Sequence, residues 1–200
     1  MSSMCPDRSR GVTLVELVVF IVIVGVAMAG IFAAFNTITA ASADPQVRKQ
    51  VLAIAESLIE EIALKAFTIC DPDDPSAATA ATSADCTGGT NGANDESKLA
   101  LGPEGAASVG GAEGRYASPQ FDNVSDYNGF AMSSGIKDIT GADVGGLGAY
   151  SASVTVTQDG ATLGLPAADA LRISVTVTGP GSVSITLEGY RARYAPNTLP

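Results

Sequence analysis

A single glutamate interrupts the apolar run near the N-terminus. Val12 to Phe35 is a stretch of roughly 24 residues whose one charged member is Glu16, long enough as a helix to span the hydrocarbon of a bilayer. A carboxylate at that depth is costly unless it is paired. A partner is legible nearby: a cut between Gly11 and Val12 creates a new α-amine, and Glu16 is then the fifth residue, one helical turn on and opposite in charge. The residues before the cut are short and polar, and Arg8 and Arg10 at the flank favour keeping that end on the cytoplasmic side. An ordinary secretory signal has its small-residue cleavage site after the apolar region. Here Gly11 precedes it, so the hydrophobic segment is expected to survive processing.

The remaining reactive inventory is thin. The chain has no His, which removes the usual general base of Ser and Cys hydrolases and the commonest neutral metal ligand; no enzymatic activity is expected. Cys5 lies in the leader, leaving Cys70 and Cys86. An even pair facing an oxidising space reads as one disulfide, with two unpaired thiols as the alternative. Asp71, Asp73, Asp74 and Asp85 offer oxygen atoms of the kind calcium takes. Their spacing does not match an EF-hand loop, and Pro72 and Pro75 stiffen the stretch, so an ordinary acidic loop is the plainer reading and no cofactor is expected. The Glu-rich stretch Ala55 to Glu61 likewise reads as a solvated helix face. With 11 basic and 21 acidic residues the net charge is −10, which repels a phosphate backbone, so nucleic acid is not an expected partner. The Gly110-Gly111 and Gly145-Gly146 pairs follow no clear strand and open no helix, leaving nucleotide binding without support.

The elements that must position these residues follow from periodicity. Gly25, Ala29 and Ala33 recur every four residues and form a small-residue stripe on which another helix can pack closely. Ser42-Ala43-Asp44-Pro45 carries an N-cap type residue and a first-turn Pro, predicting a kink or short break near Pro45. From Pro45 to about Phe67, Val47, Val51, Ile54, Leu58 and Ile62 keep helical spacing, with Arg48, Lys49, Glu56, Glu60 and Glu61 on the polar face. Residues 70–114 are rich in Ala, Gly, Ser, Thr and Asp and read as a long surface loop. Between Phe121 and Phe130, Asp122, Asp126 and Gly129 mark a turn-rich connection, with Phe121, Tyr127 and Phe130 as packing anchors. The C-terminal third changes to period two: Tyr150 to Thr157, Leu171 to Val177 and Val183 to about Arg193 alternate, with turn signals at Gln158-Asp159-Gly160 and Gly179-Pro180-Gly181. Three antiparallel strands are predicted, one face packed on the Pro45–Phe67 helix. The fold class is α+β: a long N-terminal helix against a C-terminal antiparallel sheet.

The segment Arg10-Gly11-Val12-Thr13-Leu14-Val15-Glu16-Leu17, followed by an apolar helix, resembles the cleavage and methylation motif of type IV prepilins and type II secretion pseudopilins. The resemblance implies that Gly11 precedes the bond cut by prepilin peptidase and that Val12 becomes the N-methylated N-terminus. It also implies that Glu16 pairs with the α-amine of a neighbouring subunit during assembly. Val12 departs from the Phe usual at that position. The stretch Phe121 to Phe130 is similar to a segment of minor pilins, the D-type subunit of the MSHA (mannose-sensitive haemagglutinin) pilus in particular.

The organisation expected on this basis is a leader (1–11), a membrane and filament-core helix (12–36), an amphipathic helix (37–69), a loop region (70–114) and a sheet-bearing head (115–200). The expected role is a minor type IV pilin in pilus biogenesis or surface attachment. It would first be held in the bacterial inner membrane by one span, head outside the cytoplasm, and then join the pilus. The implied partners are other pilins through the N-terminal helix, prepilin peptidase and the inner-membrane assembly platform. Two alternatives stand beside it: a minor pseudopilin of type II secretion, and an adhesive or ligand-binding domain carried by a pilus.

Overall fold

The structure, a computed structural model, describes residues 12–197, without the side chains of residues 36–44. The chain divides into two compact units, Met1–Pro45 and Gln46–Pro200. One helix, α1 (Leu14–Ala63), passes through the boundary.

From Leu17 to Phe35 α1 is built mainly from Leu, Val, Ile, Ala and Phe, residues that leave no polar side chain to compete with the helical ladder. Leu14–Phe35 has a mean hydropathy of 2.9 and is not buried within the chain. At 1.5 Å per residue, its 22 residues make a rod about 33 Å long, enough to cross a hydrocarbon layer of about 30 Å. The break expected at Ser42–Pro45 does not occur: the helix continues through Pro45. A proline inside a helix removes one backbone donor, here the one that would reach back to Ala41.

In the second unit, α1 buries Val51, Ile54, Ala55, Leu58 and Ile62 in one core with the sheet. The helix ends at Ala63, earlier than its periodicity suggests, because the chain from Ala66 onward pairs with other backbone segments. The sheet has the order β1-β2-β3-β4, antiparallel throughout: β1 (Ala131–Met132), β2 (Ser151–Gln158), β3 (Ala170–Thr178) and β4 (Ser184–Ala192). Three of these are the predicted strands. The fourth, β1, is two residues long, too short for any alternation to register in sequence. Pairings such as Val154 with Val175, Val156 with Ile173 and Val175 with Leu187 put the apolar positions on one face toward α1. The other face is polar, with Thr176 and Thr186 sharing a hydrogen bond of 2.8 Å across β3 and β4.

The turn expected at Gln158-Asp159-Gly160 is a longer connection of two short 3-10 turns, Gly160–Leu163 and Ala167–Asp169. Gly160 is required there because a Cβ would collide with the Pro166 carbonyl.

Residues 70–114 form few regular elements, yet they are held firmly. Cys70 and Cys86 are joined by a disulfide. Cys70 pairs with Asp95 in an isolated antiparallel bridge and Ala66 with Asn123 in a parallel one. Backbone hydrogen bonds from Asp71 N to Asn94 O (3.0 Å), Glu96 N to Ile69 O (2.9 Å) and Val124 N to Ala66 O (3.0 Å) stitch three segments side by side. The region is mostly irregular and lies largely at the surface, with Cys70, Asp71, Asp74, Asn94, Asp95 and Glu96 among its buried residues.

Candidate functional site

The helix start is built by Thr13. Its hydroxyl accepts from Glu16 N at 3.3 Å, which gives one unsatisfied donor of the first turn a partner, and its carbonyl accepts the first helical bond from Leu17 N at 3.1 Å. Thr13-Leu14-Val15-Glu16 has the Thr-x-x-Glu spacing of a capping box, a signal readable in sequence but passed over there. Glu16 sits exposed in the first turn, where the helix dipole favours an anion. Val12 is exposed and lies just before the helix; Gly11 and the rest of the leader fall outside the described residues. Gly25 and Ala29 are exposed, and a Cβ placed on Gly25 would meet nothing within 4 Å.

The second unit contains two acidic sites. At the first, Glu61 receives two hydrogen bonds of 2.7 Å from the Nε and Nη2 of buried Arg115 and a third of 2.7 Å from the Tyr127 hydroxyl. Arg115 is held in place by the Lys137 and Asp138 carbonyls and lies over the Tyr116 and Phe130 rings. Burial works against the Glu61 charge, but the bonds from Arg115 and Tyr127 outweigh it and hold the carboxyl below its ordinary range. The expectation of a purely solvated acidic face therefore fails at Glu61, while Glu56 and Glu60 are exposed as expected.

The second site gathers carboxylates from four stretches of chain. Asp71 and Asp73 follow the disulfide-bonded Cys70. Glu96 comes from the segment bridged to it. Glu104 and Glu113 are linked by a backbone bond from Glu113 N to Glu104 O (3.1 Å). Asp122 and Asp126 flank the start of the 3-10 turn Val124–Tyr127. They form two groups, Asp71, Asp73, Glu113 and Asp122 in one and Glu96, Glu104 and Asp126 in the other. Within each group one oxygen per residue lies within 4.8 Å of all the others.

Some of these oxygens are used locally. Asp71 Oδ1 accepts from Asp73 N at 2.7 Å, and Asp126 Oδ2 accepts from Asp122 N and Asn123 N at 3.0 and 2.7 Å. Glu96 Oε2 accepts from the Ser125 hydroxyl. Their other oxygens, together with Asp122 Oδ1 and both oxygens of Glu104 and of Glu113, are buried without a hydrogen-bond partner.

Like charges this close repel by on the order of 3 kcal/mol per pair at an effective dielectric constant of about 20. Burial and the neighbouring carboxylates raise Glu96, Glu104 and Asp126 well above the ordinary range and push Asp122 to about 7 and Glu113 to about 8. Lys65 donates to Phe121 O at 2.7 Å and Lys98 to Ala93 O at 3.1 Å, while Arg193 lies 4.2 Å from the centre of the Phe67 ring and 4.0 Å from Asp169, with its Nε and Nη2 buried and without a hydrogen-bond partner. Among the described residues no ion pair reaches the cluster.

Of the aspartates noted in the sequence, Asp71 and Asp73 belong to this cluster. Asp74 does not, because its oxygens accept from Ser76 N, Thr87 N and the Asn94 amide. Asp85 is exposed and caps the turn at Thr82. Glu96, Glu104 and Glu113 carried no local signal at all, and Asp122 and Asp126 read only as turn residues.

Residues 6–32 match the family model described as the prokaryotic N-terminal methylation motif. No curated protein and no solved structure matches the chain. The matched stretch contains the glycine, the glutamate five positions after it and most of the exposed apolar helix, and the unit that follows has the helix-on-antiparallel-sheet layout of a pilin head. That motif at the start of that fold supports a type IV prepilin or pseudopilin.

Proposed function

We propose that the chain is a minor type IV pilin of the MSHA kind, a structural subunit whose own chemistry is passive. Prepilin peptidase cuts between Gly11 and Val12 and the new N-terminus on Val12 is methylated. Before assembly the helix anchors the subunit in the inner membrane with its head outside the cytoplasm. In the filament, Glu16 neutralises the α-amine of an adjacent subunit and so sets the register between helices. Gly25, Ala29 and Ala33 give a neighbouring helix a place to approach closely.

The observation that carries this reading is the methylation motif leading into an apolar helix that the chain itself leaves uncovered from Leu14 to Phe35. Such a surface needs lipid before assembly and other helices after it. Mass spectrometry of the mature N-terminus is the direct test, with methyl-Val12 expected; an intact leader, or a cut after the apolar run, contradicts the reading. Glu16→Ala is expected to insert in the membrane yet enter filaments poorly, measured by immunoblot of sheared pili against membrane fractions. Normal incorporation of that variant would remove Glu16 from the assembly step.

A further inference from the structure

We infer that the head binds a pair of calcium ions, one held by Asp71, Asp73, Glu113 and Asp122 and the other by Glu96, Glu104 and Asp126. The spacing is that of coordination spheres. Oxygens on opposite sides of a calcium ion, each about 2.4 Å from it, stand about 4.8 Å apart, and within each group the candidate oxygens fall inside 4.8 Å.

The second observation is independent of clustering. Asp71, Glu96, Glu104 and Asp126 are each at most 4% exposed, and each turns at least one oxygen into the cluster with no donor to meet it. Buried acceptors are normally satisfied, and Glu104 has neither oxygen satisfied. Among the described residues no side chain pairs with this cluster as Arg115 pairs with Glu61.

The donor set chooses the ion. It is all carboxylate oxygen, the chain has no His, and both head cysteines are in the disulfide. This leaves hard cations. Magnesium keeps most of its water and demands strict octahedral geometry, whereas a group of three buried carboxylates, or of four with Asp71 buried, Glu113 and Asp122 half-buried and Asp73 exposed, suits the larger and more tolerant calcium. Gly110 belongs to the same construction: it has a positive φ of 89° and leaves room for the Asp73 carboxylate, which a Cβ there would strike. Once loaded, the ions tie the Cys70 segment, the 94–104 stretch, Glu113 and the 121–127 turn to one another. The inference stands on the head alone and does not depend on the filament reading.

The test uses the full-length chain in detergent micelles, stripped with a chelator and titrated with calcium chloride while heat and melting temperature are followed. Uptake of two equivalents and a rise in melting temperature are expected. Glu104→Gln and Asp122→Asn keep shape but remove a charge from one group each, so each is expected to lose one equivalent or bind it roughly tenfold or more weakly. Both are also expected to melt higher than wild type in chelator, since repulsion is relieved; a variant that merely misfolds melts lower in both conditions. The inference is overturned if chelated wild type takes up no calcium, if magnesium binds as tightly as calcium, or if both variants keep the full calcium response.

Discussion

Asp126 and Tyr127 are adjacent in sequence and serve two acidic sites that are solved in opposite ways. Tyr127 turns its hydroxyl to Glu61, where Arg115 completes a closed set of hydrogen bonds. Asp126 turns one oxygen into a group where Glu96 and Glu104 add more negative charge. The difference shows that burial alone says little about what an acid does. At Glu61 the chain brings its own cation, and the result is a structural joint between α1 and the segments around Arg115. In the carboxylate cluster no ion pair is formed among the described residues, and the charge is left for something from outside to neutralise.

Removing the internal cation gives the largest effect expected. Arg115→Ala leaves Glu61 beside Tyr127 with no positive partner and should cost about 4 kcal/mol, read from denaturant unfolding of the chelated and the calcium-loaded protein alike. If the loss appears in only one of those states, the two sites are coupled and the comparison is weaker than drawn. Replacing both partners, Glu61→Leu with Arg115→Met, should recover most of the loss.

Opening the disulfide comes next. Cys70→Ser with Cys86→Ser releases a loop with a sequence separation of 16 and should cost about 3 kcal/mol. Because Asp71 follows Cys70 directly, calcium affinity is expected to fall while the Glu61 site is untouched; unchanged calcium affinity would place Asp71 outside the coordination.

pH separates the two sites by sign. The Glu61 carboxyl is held low, so its contribution is present above the ordinary glutamate range and is lost as pH falls through it. The cluster carboxyls are held high by burial and by one another. In chelator their contribution is therefore greatest below the ordinary carboxylate range and lost as pH climbs toward about 7 for Asp122 and about 8 for Glu113. Melting temperature in chelator should peak in mildly acidic solution and fall on both sides. Calcium should flatten that limb and leave the acidic one unchanged. The smallest effect is expected at Gly110→Ala, about 1 kcal/mol from backbone strain at a positive φ, with a calcium affinity lowered because Asp73 must move.

What could be read from the chain without its fold depended on how local the governing physics is. The apolar span, Glu16, Gly11 and Val12 lie close together in sequence, so composition and spacing reveal them. The three long strands alternate over eight or nine residues and were legible for the same reason. The two-residue β1 and the helix end at Ala63 were not, because they are set by pairing partners far along the chain.

Glu61 looked solvated because its neighbours Glu56 and Glu60 are, and its partner lies 54 positions away. The seven carboxylates of the cluster, spread from Asp71 to Asp126 through a stretch rich in Gly and Ala, have no common spacing. The disulfide, the bridges of Cys70 to Asp95 and Ala66 to Asn123, the backbone bond from Glu113 to Glu104 and the turn at Val124 bring them together. Hydrophobic periodicity and a charge within an apolar helix are properties of neighbouring residues, and the sequence by itself determined the exposed apolar helix and its methylation motif. Whether a buried acid has a counter-charge depends on what tertiary packing sets beside it, and that alone decided which carboxylates close a joint and which await an ion.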